Sequence, residues 1–219
     1  MEIAQNSRLW SWMRHWHRVL VSGRRARVLS EALAAQIPER ASVLDVGCGD
    51  GAIGSLIAEL RPDVKVHGVE LMVRPGCKIP CAAFDGTILP FADNSFDVCM
   101  LADVLHHTSD IRALLREARR VSRSFILIKD HLNENLLDSR TLRFMDWVGN
   151  RPHGVRLTYN YQSRGQWSSH FSECGLQEER QVLFWSMWLF LGLQVIFASF
   201  FLSMLGISRG TYIGDYELK

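Results

Sequence analysis

The sequence predicts an α/β fold: a doubly wound, mostly parallel sheet with helices on both faces. Three observations carry this expectation. Short apolar runs alternate with helical stretches from about residue 40 onward, the pattern of strands joined by crossover helices. Residues 43 to 51, Val-Leu-Asp-Val-Gly-Cys-Gly-Asp-Gly, lead an apolar strand into a helix through three glycines at alternate positions. Polar residues close the later apolar runs, at the strand ends where open sheets of this kind place their chemistry. With 219 residues and 47% hydrophobic content, the chain can bury one sizeable core.

The first element is a helix. Leu9, Trp10, Met13, Trp16, Val19 and Leu20 recur at spacings of three and four, which puts them on one side. Six arginines and one acid accompany them in the first thirty residues, so the helix reads either as a cap over the site or as a basic, tryptophan-bearing helix in a membrane interface. The glycine turn comes next. Glycine tolerates both the unusual dihedrals of such a turn and close contact from a ligand. A helix starting near Ala52 aims its unpaired N–H groups and positive dipole end at whatever lies over that turn.

Val64 to Leu71 alternates as a second strand and ends in Glu70, about twenty residues beyond the turn, where an acid can accept from both hydroxyls of a ribose. Cys81 to Phe84 is a third short stretch, followed by Asp85-Gly86. A turn rich in Pro, Asp and Asn leads into a fourth strand through Leu101, closed by Asp103-Val104-Leu105-His106-His107. Phe125 to His131 reads as the fifth strand with a polar tip, Lys129-Asp130-His131. Residues 138–167, with Asp146-Trp147 and Tyr159-Asn160-Tyr161, form an insertion: either a lid over an acceptor pocket or a surface excursion held by its own aromatics. Gly175 to Trp185 includes a last strand.

From Gln181 to Ser208, 28 consecutive residues carry no charge. About twenty apolar residues span a bilayer, so residues 187–207 predict an apolar C-terminal helix that inserts in a membrane, or else is buried in the protein or at a homodimer interface. Gly192, Ser199, Ser203 and Gly206 form a narrow stripe of small residues on it, as in closely packed membrane helices. The organisation expected is a helical cap over residues 1–40, a catalytic domain over 41–182 and an apolar segment over 183–219.

Composition excludes several classes. A net charge of +2, without a basic groove interleaved with aromatics, argues against nucleic-acid binding. Five cysteines without disulfide-scaffold spacing suggest reduced thiols in the cytoplasm, and Cys77-x-x-x-Cys81 with no second pair nearby reads as two unremarkable thiols, with no metal implied. The absence of Gly-Lys-Ser/Thr after the turn rules out a phosphate-binding P-loop; Gly47 and Gly49 are out of register for a dinucleotide fingerprint, although Gly49, Gly51 and Gly54 could be read as one.

Together, the glycine turn with Asp45, Glu70 at the second strand end, Asp85-Gly86 and the fourth strand ending in Asp103 resemble the Rossmann-like class I S-adenosylmethionine-dependent methyltransferases. The resemblance runs from about residue 40 to 131 and is narrowest to the ubiquinone and menaquinone biosynthesis methyltransferases. It implies that Asp45, Gly47, Cys48 and Gly49 hold the methionine part of S-adenosylmethionine, that Glu70 binds the ribose, and that Leu71 packs on the adenine. Asp85 would accept from the adenine amino group, with Gly86 and Ala102 lining the same site. The acceptor expected is small and lipophilic, methylated on oxygen or carbon, and met in the cytoplasm or at the cytoplasmic face of a membrane. A non-catalytic scaffold of the same fold is the alternative. Methyl transfer mainly needs alignment and exclusion of water, with a base for some acceptors. His131, His107 and His106 are the candidates for that base, His131 first.

Overall fold

The computed structural model describes residues 23–150, 158–184 and 211–218. Among these, helix α1 (Gly23–Ala34) precedes strand β1 (Ser42–Val46), helix α2 (Ala52–Leu60), strand β2 (Lys65–Glu70), strand β3 (Cys81–Ala83) and strand β4 (Phe96–Ala102). A 3-10 turn (Leu105–His107) leads to helix α3 (Ile111–Val121), strand β5 (Ser122–His131), helix α4 (Leu136–Asn150), helix α5 (Arg164–Glu173), strand β6 (Leu176–Phe184) and strand β7 (Thr211–Leu218). The strands form one sheet in the order β3-β2-β1-β4-β5-β7-β6. Pairs from β3 to β5 are parallel, and β7 runs antiparallel between β5 and β6.

Alternation along the strands divides the core between two faces. Val43, Val66, Val98, Met100 and Leu127 pack with Leu29 and Leu33 of α1 and Ile57 of α2. Leu44, Val46, Val69, Cys99, Leu101, Ile126 and Ile128 pack on the other side with α3 and with Trp167 and Phe171 of α5. The helices answer this with their own periodicity. In α3, Ile111, Leu114, Leu115, Ala118 and Val121 are buried at intervals of three and four, and Asp110 caps the helix by accepting from the Ala113 N–H at 3.0 Å. Ser163 and Gln166 close a capping box at the start of α5.

The architecture expected from the sequence is present: mostly parallel strands, with helices on both faces. The boundaries shift in three places. Strand β5 starts at Ser122, directly after Val121 of α3, because the Ser122 hydroxyl folds onto the Phe125 carbonyl at 3.0 Å and pairing with β4 begins at Phe96. The insertion at 138–167 consists of most of α4, residues 151–157 outside the described set, and a segment at 158–163 that leads into α5. Thr211–Leu218 is a strand of the sheet, so the sheet extends past the boundary expected at residue 182.

The amphipathic helix expected over residues 9–20 and the apolar helix expected over 187–207 lie outside the described residues. Phe184 pairs with Thr211 across β6 and β7, and Thr211 pairs with His131 across β7 and β5. Among the described residues, no helix is long and apolar enough to cross a membrane.

Candidate functional site

The carboxyl ends of β1, β2, β4 and β5 gather two groups of residues. The first is the glycine loop after β1. Gly47, Gly49 and Gly51 all have positive φ (70°, 61° and 74°), so the sequence's alternate glycines answer three left-handed backbone positions. The loop is tied to β2: the Gly47 N–H donates to the Val69 carbonyl at 2.8 Å, and the Gly49 N–H donates to Glu70 Oε2 at 2.8 Å. Glu70 Oε1 accepts from the Leu71 N–H at 2.9 Å. Asp45 is 2% exposed and its Oδ2 has no hydrogen-bond partner among the described residues. Burial, reinforced by the charge of Glu70, pushes its pKa up to about 8.

Asp85 stands apart from this loop. It is exposed, and Oδ1 accepts from the N–H groups of Thr87 and Ile88, each at 2.8 Å, which holds its pKa below the ordinary carboxylate value. Gly86 has φ 87° and lies against the largely exposed Leu71, whose Cδ2 a Cβ on Gly86 would meet at 2.9 Å.

The second group surrounds the 3-10 turn after β4. His106 is 3% exposed, and its Nδ1 donates to Asp130 Oδ1 at 2.6 Å. Asp130 Oδ2 also accepts from the His106 backbone N–H. Tyr161 stacks on the His106 ring at 5.1 Å with 23° between the planes, and Thr158 and Asn160 donate to the His106 carbonyl. His107 Nε2 lies 3.7 Å from Asp146 Oδ1, and Asp146 is buried on α4. His131 Nε2 lies 3.2 Å from Asp103 Oδ1. Asp103, with φ 58°, is also bridged by Lys129 from β5 and Arg25 from α1.

Electrostatics separates the histidines. Burial pulls the His106 pKa down, but the charge and hydrogen bond of Asp130 outweigh it, and the net shift is upward. His131 moves the other way, to about 3, through desolvation and the adjacent Lys129 charge. The carboxyl of Asp103 is likewise pushed up by burial, yet Lys129 and Arg25 hold it well below its ordinary value. Burial dominates at Lys129, and Asp103 only partly offsets the lowering. His106 thus holds its proton more tightly than an ordinary histidine, and His131 less tightly. His131, the first choice among the candidate bases, faces Asp103 on one side and the Lys129 charge on the other.

The structure brings Asp45, Gly47, Cys48, Gly49 and Glu70 together, and His106, His107 and His131 together, with Ala102 at the end of β4 just before Asp103. Arg25 was not legible as a site residue, nor was the pairing of Lys129, Asp146 and Tyr161 with Asp103 and the histidines. Lys129 and Asp130 were visible as a polar strand tip, but adjacent strand residues face opposite ways, so their partners depend on the fold. His106, His107 and Asp146 also bring three metal-ligand atoms within 4.8 Å of one another, as do Asp103, His106 and His131, although Asp103 already faces two cations.

Comparison with known proteins fits this geometry. Residues 44–124 match the family model described as a methyltransferase domain. The 27-O-demethylrifamycin SV methyltransferase of Amycolatopsis mediterranei is 32% identical over 110 residues, covering 43% of this chain and 40% of the relative. A demethylmenaquinone methyltransferase of Roseiflexus castenholzii is 35% identical over 106 residues, 44% of each chain. The chain thus spans less than half the length of these curated relatives. Among solved structures, an S-adenosylmethionine-dependent methyltransferase of Thermotoga maritima, described as a possible histamine N-methyltransferase, superposes with a TM-score of 0.63 at 15% identity over 97% of both chains. The cyclase SpnF gives 0.62 at 16% identity, covering 88% of this chain and 80% of its own, so the fold by itself does not settle the reaction. Residues 44–124 thus match the methyltransferase-domain family, and the chain carries the fold of class I S-adenosylmethionine-dependent methyltransferases, with sequence similarity to a quinone-biosynthesis enzyme over part of its length.

Proposed function

We propose that this chain transfers a methyl group from S-adenosylmethionine to oxygen or carbon of a small lipophilic acceptor. One observation carries the reading. The glycine loop and the histidine turn touch, because the missing side chain of Gly47 makes room for Val104, whose Cγ2 would lie 2.5 Å from a Cβ there, two residues before His106. A donor loop and an acid–base cluster therefore share one edge of the sheet.

In this reading Asp45, Gly47, Cys48 and Gly49 hold the methionine part of the cofactor, Glu70 takes the ribose hydroxyls, and Leu71, Asp85, Gly86 and Ala102 surround the adenine. Three local features suit that group. The unmatched buried oxygen of Asp45 would be stabilised in its ionised form by the amino group of the cofactor. Gly49 has open space where a side chain would stand, with no heavy atom within 4 Å. Glu70 already accepts from the Gly49 N–H of the loop through one oxygen. When bound, S-adenosylmethionine supplies an electrophilic methyl group on a sulfonium.

The chain's own contribution is alignment, exclusion of water and proton handling. His106 takes the acceptor's proton at Nε2, because Nδ1 is committed to Asp130, which acts as its positioning residue. Tyr161 and the segment 158–162 cover the ring, consistent with the lid role expected for this insertion. A lipophilic acceptor is supported by exposed Leu136, Leu137, Phe144 and Trp147 on α4. The relatives named for demethylmenaquinone and demethylrifamycin agree. In this reading the protein works in the cytoplasm or at the cytoplasmic face of a membrane.

Calorimetric titration with S-adenosylhomocysteine tests the donor half. Saturable binding by the wild type, lost in Asp45→Ala and Glu70→Ala variants that remain folded, is expected. Unaltered binding in both variants would overturn the site, and no binding by folded wild type would overturn the function.

A further inference from the structure

The cysteines converge in a way their spacing did not suggest. Cys48 lies in the glycine loop, Cys77 in the connection before β3 and Cys81 at the first residue of β3. Their three sulfurs lie within 4.8 Å of one another, with Cys48 Sγ and Cys81 Sγ 3.5 Å apart. Two glycines make the space. A Cβ on Gly68 of β2 would stand 2.5 Å from Cys48 Sγ, and a Cβ on Gly51 would stand 3.0 Å from Cys77 Sγ. All three thiols are half-buried, and none of the five cysteines forms a disulfide.

We infer that Cys48, Cys77 and Cys81 form a binding site for a thiophilic cation, zinc being the best match. Zinc–sulfur bonds of about 2.3 Å set tetrahedral sulfurs about 3.8 Å apart, so small movements of these side chains reach that geometry. Soft thiolates select zinc or copper(I) over magnesium and calcium. Binding displaces the thiol protons to solvent, and solvent completes the fourth position. The carboxylate of Glu70, bonded to the neighbouring Gly49 N–H, adds negative potential beside the ion. The ion would clamp the glycine loop to the β2–β3 edge of the sheet. This site does not depend on methyl transfer or on S-adenosylmethionine binding.

The test uses the full chain, reduced, treated with chelator and then titrated with cobalt(II) and zinc(II). One equivalent of cobalt should give sulfur-to-metal charge-transfer absorption that zinc bleaches. Cys77→Ser and Cys81→Ser should each weaken uptake at least about tenfold, the loss typical of a damaged metal site, while Cys174→Ser retains it. Thermal unfolding verifies that each variant is folded. A wild-type chain that shows no charge-transfer band, or variants that keep it, would overturn the proposal. So would a Cys48–Cys81 disulfide as the only product when zinc and a mild oxidant such as glutathione disulfide compete for the reduced protein.

Discussion

Asp45 shows how a single residue can trade stability for binding. In the folded chain its pKa rises from the ordinary 3.8 to about 8, so the native state holds a proton that the unfolded chain has lost. A raised folded value contributes stability at low pH that fades as pH climbs through that interval. Asp45→Asn should therefore melt above the wild type near pH 8 and close to it near the ordinary carboxylate range, read from unfolding midpoints across pH. The same change should cost about 2 kcal/mol of S-adenosylhomocysteine affinity, roughly thirtyfold. An unchanged difference in midpoint at all pH values would refute the buried, protonated Asp45.

The histidines give a second residue-scale prediction. His106 binds its proton more tightly when folded, so its contribution to stability is present below its ordinary 6.5 and is lost as pH rises through the higher folded value. His131 contributes in the opposite sense, between 6.5 and about 3. Nitrogen-detected NMR titration should find His106 titrating above its ordinary value and His131 still neutral at mildly acidic pH. Asp130→Asn should lower the His106 value; no movement would remove Asp130 as its positioning residue.

At the scale of elements, the glycine loop is built from contacts that no single element contains. Gly47→Ala meets two obstacles, the left-handed φ of 70° and the Val104 side chain. It should destabilise the domain by about 1–3 kcal/mol. Adding Val104→Ala should relieve the clash but not the dihedral, so chemical denaturation should show partial recovery. Helix α3 performs a similar service elsewhere. Arg120 donates to the Leu89 and Phe91 carbonyls and pairs with Asp93 and Glu117, while Glu117 accepts from the Leu89 N–H, so α3 fixes the turn that feeds β4. On the same face of the sheet, Trp167 of α5 is 1% exposed and donates from Nε1 to the His131 carbonyl. Trp167→Ala should cost about 3–5 kcal/mol and loosen the strand tip that carries His131.

At the scale of the molecule, the last strand closes the sheet. β7 has partners on both sides, β5 and β6, so removing it exposes two sets of unpaired backbone groups. A chain ending before Thr211 should lose cooperative unfolding and aggregate, judged by size-exclusion chromatography and circular dichroism. A soluble, cooperatively folding truncation would show that the five-stranded parallel part is self-sufficient.

What the sequence determined was local and periodic. Glycines at alternate positions fixed a turn, strand-end acids fixed candidate ligands, and alternation fixed which runs become strands, so the fold and the glycine-loop candidates were legible. The last strand was not, because Thr211–Leu218 contains Gly214 and Asp215 and lacks clean alternation, and only pairing with β5 and β6 makes it a strand. Which histidine can act as a base was equally closed to sequence reading. His106 and Asp130 are separated by a whole helix in the chain, and their partnership depends on β4 lying beside β5. Three cysteines likewise became one cluster only when β2 and β3 met the glycine loop. Side-chain chemistry is written in the chain, but the burial and the neighbouring charges that tune it come from residues far apart in sequence, and packing alone brings them together.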